Sequence, residues 1–329
     1  MSVFKDGTLF SVHVSYWSGA KMLSADDLGL EESQLPDAFK LGRKYLVHPD
    51  VIRKFRKIES CARYAVDQNS FTFPIGNAQF VPQKRIPKVV AELKKCQETF
   101  NVLRGMFLED YDKYCTEMEP TYLEAAEKAY HVKNDASMSK EEFVGRFMER
   151  IRRFYPSVKD LEGRFTLEWD VYEIAMPKLK ETDGVKLAES EVNRQIAEDE
   201  YRKQTQQRIS SFLDDVTKTL RSETLDICNR IVNNITQGKV ITGKTVNSLN
   251  KFVERFRDLN FVGDQKVEDQ LEEFRKNFLT QHSAEAIKEQ PDLQEELKRQ
   301  LNKLAEVAGD MTDISSVTGE YRRAIKTEW

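Results

Sequence analysis

Near the N-terminus apolar residues recur at every second position: Phe10, Val12, Val14 and Tyr16 alternate with Ser11, His13 and Ser15. A period of two predicts a half-buried strand, closed by Ser18-Gly19. The period then lengthens. Val51, Ile52, Phe55, Ile58, Ala62 and Ala65 share one face of a helix predicted from about Pro49 to Asp67. Phe71 and Phe73, then Gly76-Asn77, then Phe80 and Val81 predict a hairpin, which Pro74 and Pro82 would hold at a sheet edge. The strongest periodicity follows in Val89, Leu93, Cys96, Phe100, Leu103, Phe107, Tyr111, Tyr114 and Met118, bounded by Pro87 and Pro120. These steps of three and four predict a helix of about thirty residues, ~45 Å long, whose near-heptad seam needs a covering helix.

Ser139 with Glu142 predicts a capping box opening a further helix, whose buried face carries Phe143, Phe147, Ile151 and Phe154 before Pro156. Phe165, Leu167, Trp169 and Val171 alternate with polar residues, so a second strand, suited to pairing with the first, precedes Pro177. From Val185 to Ile235 the pattern is again helical. The first half of this helix holds only Val192, Ile196 and Tyr201 as sizeable apolar residues, with Glu198–Arg202 and Asp199–Lys203 as favourable i,i+4 pairs. A helix so polar bridges solvent or waits for a partner. Its second half regains a seam at Ile209, Phe212, Val216, Leu220, Ile227, Ile231 and Ile235. Beyond a break at Gly238–Gly243, one helix carries Val246, Leu249, Val253, Phe256 and Leu259, and the turn Asn260–Asp264 leads to another with Val267, Leu271, Phe274 and Phe278. Pro291 opens a last helix with Leu293, Leu297, Leu301, Leu304 and Ala308, and the tail from Gly309 to Trp329 is expected to be partly ordered at best. The fold expected is mainly α: long antiparallel helices with coiled-coil-like seams, and a small β element from the N-terminal segment and residues near 165–172. It divides into a region of residues 1–180 and an extended helical region of residues 181–329.

Composition sharpens this picture. Charged residues make up 32% of the 329, while Gly (14) and Pro (9) are scarce. That balance favours long, solvated helices over sandwiches, barrels or disorder. With 51 Lys+Arg against 55 Asp+Glu, the net charge of −4 argues against wholesale electrostatic capture of nucleic acid. No apolar run approaches the ~18 residues of a membrane span, and Met1–Asp6 lacks the layout of a signal peptide. The expected location is therefore cytoplasmic. Cys61, Cys96, Cys115 and Cys228 have no paired spacing; they read as buried small hydrophobes in a reducing compartment, not as a disulfide framework or zinc site.

Motifs that carry chemistry are few. Gly238–Thr245 fits G-x-x-x-x-G-K-[ST], a pattern that arises by chance in roughly 1% of chains of this length. A phosphate loop needs an apolar strand before it and an acidic strand elsewhere. Here the upstream residues have helical spacing, so a helix stop at Gly238 and a Thr-capped restart near Thr242 or Thr245 is the preferred reading. His13, His48, His131 and His282 are scattered, and no nucleophile elbow, dinucleotide turn or metal-binding spacing accompanies them. No catalytic, cofactor or metal residue is assigned. Two basic clusters, Arg53, Lys54, Arg56, Lys57 and Arg146, Arg150, Arg152, Arg153, lie on helices with apolar opposite faces. Each is a solvated helix face or a phosphate-binding stripe.

The run Phe10–Gly19, followed by Leu23, Asp26-Asp27-Leu28-Gly29 and Leu35-Pro36, resembles a phage and bacterial family, domain of unknown function 3150. Leu41-Gly42-Arg43-Lys44 and Leu259–Asp264 resemble it too. Members of that family are often encoded beside MoxR-type AAA+ ATPases and von Willebrand-type metal-binding proteins. The resemblance thus implies an accessory or adaptor role in an ATP-driven assembly, and it supplies no catalytic residues. The reading adopted is a non-enzymatic helical adaptor without a cofactor, meeting a protein partner through the helix bearing Val192, Ile196 and Tyr201, with self-association open. Second stands a nucleic-acid-binding component of a phage or defence complex using the basic clusters, and third an ATP-binding protein acting through Lys244.

Overall fold

The structure is a computed structural model that describes residues 6–28, 30–36, 38, 40–74, 76, 78–133, 138–173, 189–319 and 321–323, apart from the side chains of 189–199, 201 and 202. In chain order the elements are β1 (Gly7–Ser15), β2 (Ala20–Met22), β3 (Arg43–Tyr45), α1 (Pro49–Asp67), β4 (Phe71–Thr72) and β5 (Gln79–Pro82). Then follow α2 (Ile86–Glu109), α3 (Tyr111–Glu117), α4 (Glu119–Lys133), α5 (Lys140–Arg152), α6 (Val158–Glu162) and β6 (Thr166–Tyr172). The C-terminal part holds α7 (Glu189–Thr236), α8 (Gly243–Leu259), α9 (Gln265–Phe274), α10 (Ala284–Glu289), α11 (Pro291–Gly309) and α12 (Ile314–Val317). A four-stranded sheet has the order β4-β5-β1-β6, and β2 pairs with β3 in a separate ribbon. The fold is mainly α with a small antiparallel β element, as the periodicities require.

Two compact units result, and they interleave in sequence. One comprises Val12–Ala65 and Val90–Asp170; the other comprises Met1–Ser11, Val66–Val89 and Val171–Trp329. The sequence reading divides the chain once, at residue 180, whereas the segments 1–11 and 66–89 fold with the C-terminal part. The reason lies in the hairpin: Phe71, Phe73 and Phe80 are buried in the same core as Ile209, Phe212 and Val216 of α7.

The first unit is built on rings. Phe55 of α1 meets Phe100, Phe107 and Phe165 at centroid distances of 5.4, 5.8 and 4.9 Å, and Trp17 stands edge-on to Tyr111 at 5.8 Å. The predicted thirty-residue helix is interrupted: α2 ends at Glu109 and α3 restarts at Tyr111, with Asp110 at φ −89°, ψ 5° between them. The seam survives the break. Val89, Leu93, Phe100, Phe107 and Tyr111 are buried, while Cys96, Leu103, Tyr114 and Met118 are half-buried. Helix α4 was not predicted. Its buried positions Tyr122, Ala126 and Ala129 follow a helical repeat, but two are alanines and give little hydrophobic signal. Ser139 caps α5 by accepting from the Glu142 N–H at 3.2 Å, yet the box is half made, because the Glu142 carboxylate pairs with Arg146 at 2.7 Å.

The second unit is organised by α7, whose 48 residues extend ~72 Å. Its seam packs on α11, which supplies Leu297, Leu301 and Leu304, and shares one core with the buried residues of α8 and α9. The seam runs through Thr224 and Cys228, leaving Ile227 half-buried. In the hairpin Phe71 pairs with Phe80, but only β4 is an edge strand. Pro82 lies at the inner strand β5, opposite Gly7 on β1. It is tolerated because it is the last residue of the strand, where a missing N–H removes no interior rung. Of the tail, residues 310–319 and 321–323 are described, and Ile314 and Thr318 are buried there.

Candidate functional site

Each unit holds a buried ionic centre among its described residues. In the first unit the 3-10 turn Ala25–Leu28 presents Asp27, and the period of two in β3 turns Lys44 inward between exposed Arg43 and Tyr45. Lys44 Nζ lies 2.5 Å from Asp27 Oδ2, with both side chains at most 5% exposed. The N–H and hydroxyl of Ser24 each donate to the same oxygen at 2.8 Å, and Arg150 donates to Oδ1 at 3.3 Å. Arg150 also pairs with Asp26, and desolvation draws its pKa below the ordinary guanidinium value. The ammonium of Lys44 sits 4.3 Å from the Phe154 ring centroid, a cation–π contact that supplements the ion pair.

Beside α3 and α5 of this unit lies a cleft of about 460 Å3 lined by Tyr111, Cys115, Tyr122, Met148, Ile151 and Tyr155, among others. Its tyrosines serve as struts. Tyr111, Tyr122 and Tyr155 donate to the backbone carbonyls of Pro156, Tyr45 and Leu46 at 3.0, 2.5 and 2.7 Å. Burial pushes the Tyr122 phenol up to about 12 and the Cys115 thiol up to about 11, so both stay protonated. Such groups hold the wall of the cleft and are poor nucleophiles.

In the second unit Arg221 is fully buried on α7. Its guanidinium clasps Asp264 bidentately, Nε to Oδ2 at 2.6 Å and Nη2 to Oδ1 at 3.0 Å. Nη1 donates to Asp313 at 2.6 Å and to the carbonyl of Asp310. Burial alone would lower the pKa of Arg221, but hydrogen bonds to Asp264 and Asp313 outweigh it and raise the value. Asp264 is aimed by its turn. Gly263 adopts φ +86°, and Asn260 accepts the Asp264 N–H at 2.8 Å while donating to Glu268 at 2.6 Å. Sequence reasoning left Arg221 unmarked. The available signal was a charged residue at seam spacing, since Leu213, Thr217, Arg221, Thr224 and Cys228 are buried in steps of four and three.

The segment Gly238–Thr245 joins two α-helices. Gly238 takes φ +69°, its N–H donates to Ile235 O at 2.9 Å and that of Lys239 to Asn234 O at 2.9 Å. This is a Schellman stop. Thr242 then occupies the N-cap position of α8, and Lys244 is exposed. A phosphate loop follows a strand; this one follows a 48-residue helix.

The basic clusters differ from one another. On α5 and just beyond it each arginine has its own carboxylate: Arg146 with Glu142, Arg150 with Asp26 and Asp27, Arg152 with Glu119, and Arg153 with Glu149. On α1, Arg53 pairs with Asp50 at 2.5 Å, while Lys54, Arg56 and Lys57 project from the exposed face. The side chains of Val192, Ile196 and Tyr201, with those of Glu198, Asp199 and Arg202, lie outside the described residues; their backbone is helical. The first buried side chain of α7 among the described residues is Thr205, and Glu200, Lys203 and Gln204 before it are exposed.

The cysteines correct the sequence reading. Cys228 is buried and its thiol is pushed up to about 12 by desolvation, but Cys96 and Cys115 are half-buried and Cys61 is exposed on α1. All four are free. Among the described residues no group of three or more His, Cys, Asp or Glu side chains is placed to hold a metal ion. No described helix is long and apolar enough to cross a membrane. No curated protein and no solved structure matches the chain. The family described as "Protein of unknown function (DUF3150)" matches residues 5–295, so the chain belongs to it.

Proposed function

We propose that this protein is a non-enzymatic helical adaptor whose long helix α7 presents its N-terminal third to a protein partner. The observation that carries the reading is the contrast within α7. From Thr205 onward the helix is bedded in a core, whereas the preceding residues 189–204, ~24 Å of helix, include no buried side chain among those described. The sequence offers Val192, Ile196 and Tyr201 as the apolar contacts of that stretch. The displaced ionisable groups Arg221, Asp313 and Tyr122 are held in ion pairs or struts of the fold, and the Cys228 thiol is raised by burial alone, which fits a structural role for each. The partner implied by the family resemblance is a MoxR-type AAA+ ATPase working with a von Willebrand-type protein, in the cytoplasm of a bacterial cell or from a phage genome.

The test is capture of partners from the native host by the tagged full-length chain, with and without nuclease, read by mass spectrometry. Recovery of an AAA+ ATPase in both samples, lost on joint Val192→Glu, Ile196→Glu and Tyr201→Glu substitution, is the expected result. Recovery of nucleic acid, or of proteins that vanish with nuclease, overturns it. That outcome would favour the second reading, for which Lys54, Arg56 and Lys57 of α1 are the better cluster, since the arginines of the other cluster already have carboxylate partners.

A further inference from the structure

Residues 310–319 and 321–323 form a strap on α7 that is held by charge more than by apolar burial. Its first anchor is the clasp described above, in which Arg221 takes the Asp310 carbonyl and the Asp313 carboxylate, while Lys266 reaches Asp310 and Asp313 at 2.7 and 3.3 Å. Its second anchor is Asp214 of α7, which accepts from Thr318 Oγ1 at 2.9 Å and pairs with Arg322. At its end Tyr321 donates to Asp6 at 2.8 Å and stands edge-on to Phe261 at 5.6 Å. Phe261 belongs to a ring cluster with Phe71, Phe80 and Phe212. Ile314 is the one large apolar side chain fully buried among the described residues of the strap. By contrast the preceding helix α11 buries Leu297, Leu301 and Leu304. The strap also fits imperfectly, because the buried Nε of Arg322 has no hydrogen-bond partner among the described residues. An unsatisfied buried donor weakens the state that buries it.

We propose that the surface of α7 around Asp214, with the Phe212–Phe261 rings beside it, is a peptide-docking site that the chain's own residues 310–323 occupy in competition with a partner. The fitting partner is a protein segment carrying an aromatic residue next to an arginine, which takes the places of Tyr321 and Arg322. The chemistry is complementary: carboxylates at Asp6 and Asp214 flank an aromatic floor. The site is built from residues within the family-matched 5–295, and the strap lies beyond that range. The inference rests on the adaptor reading only in taking the partner to be a protein.

The test uses the full-length chain and a labelled peptide of residues 310–323 as probe. Self-occupation lowers apparent affinity by the fraction of open molecules. Joint Tyr321→Ala and Arg322→Ala substitution should therefore strengthen probe binding by about tenfold or more, and adding Asp214→Ala should abolish it. A folded double variant that binds no better than the wild type, or binding indifferent to Asp214, overturns the proposal. Hydrogen exchange on the wild-type chain gives an independent arm: amides of 311–319 should open locally, far more readily than those of α11. Exchange of the strap only through global unfolding would also overturn it. A host partner captured equally by wild type and the double variant would remove this site and leave the adaptor reading standing.

Discussion

Both units bury a cation against an aspartate delivered by a tight turn, yet they neutralise it differently. Lys44 is a compact ammonium that meets one carboxylate and one ring, and Arg150 shares that carboxylate from the outside. Arg221 is a planar fork whose donors are spread over Asp264, Asp313 and a carbonyl, drawn from two segments far apart in sequence. The difference follows from the chemistry of the two side chains. An ammonium concentrates its charge at one point, whereas a guanidinium satisfies several acceptors in fixed directions. The Lys44 centre ties a turn to a strand; the Arg221 centre ties a helix, a turn and the strap.

The sharpest way to break this comparison is to remove Arg221. Arg221→Ala leaves Asp264 buried and uncompensated, and losing one partner of a buried ion pair costs about 3–5 kcal/mol. Arg221→Lys should recover only part of that, since an ammonium cannot bridge Asp264, Asp313 and the Asp310 carbonyl together. Urea unfolding followed by hydrogen exchange in α7 and α9 reads both variants. Equal stability of the lysine variant and wild type would show that charge alone, not the fork, holds this centre.

Lys44→Met should cost less, about 1–3 kcal/mol, because Arg150 and Ser24 still hold the Asp27 carboxylate. Joint Lys44→Met and Asp27→Leu should then recover much of the loss, as apolar replacement of a buried pair is often near neutral. A double variant worse than the single would show that the ion pair specifies the placement of the turn Ala25–Leu28.

These centres also show what could be read from the chain. The elements α1, α5, α8, α9 and α11 follow from apolar spacing alone, because each buries one stripe of large side chains. Residues Asp27, Lys44 and Asp264 lie in the turns and strand that carry the family resemblance, but nothing local in their sequence says that they are buried. Burial of a charge depends on a partner elsewhere: Asp27 needs Arg150, 123 positions away, and Arg221 needs Asp313, 92 away. Periodicity reports the face a residue occupies and is silent on what faces it. The same limit explains the strap. Its stretch 310–323 is polar and lacks a repeat, so its order arises from ion pairs with α7 that no local pattern announces.

Acid should open the Arg221 centre at the strap first. Hydrogen bonds from Arg221 hold the Asp313 carboxylate below its ordinary value, and those from Lys266 and Thr312 do the same for Asp310. A carboxylate whose pKa is lower in the folded state stabilises above its unfolded value and loses that contribution as pH falls through the folded one. Protection of amides 311–319 should thus be level from pH 8 to about 5 and fall below about pH 4. Asp313→Asn should flatten the profile. A fall centred near pH 6 would show that neither aspartate governs the opening.

The smallest effect is expected where charge is most conspicuous in the sequence. Arg152 and Arg153 belong to the same predicted basic stripe as Arg150, but their partners Glu119 and Glu149 are exposed surface carboxylates. Exposed pairs contribute about 0.2–1 kcal/mol because water and salt screen them and two long side chains must be ordered. Arg152→Ala and Arg153→Ala should each change unfolding free energy by no more than that, and less in high salt. Arg150→Ala should cost more than either, since it withdraws a donor from the buried Asp27 carboxylate. If all three variants proved alike, Lys44 alone would carry the first centre, and the contrast with the shared clasp around Arg221 would become sharper.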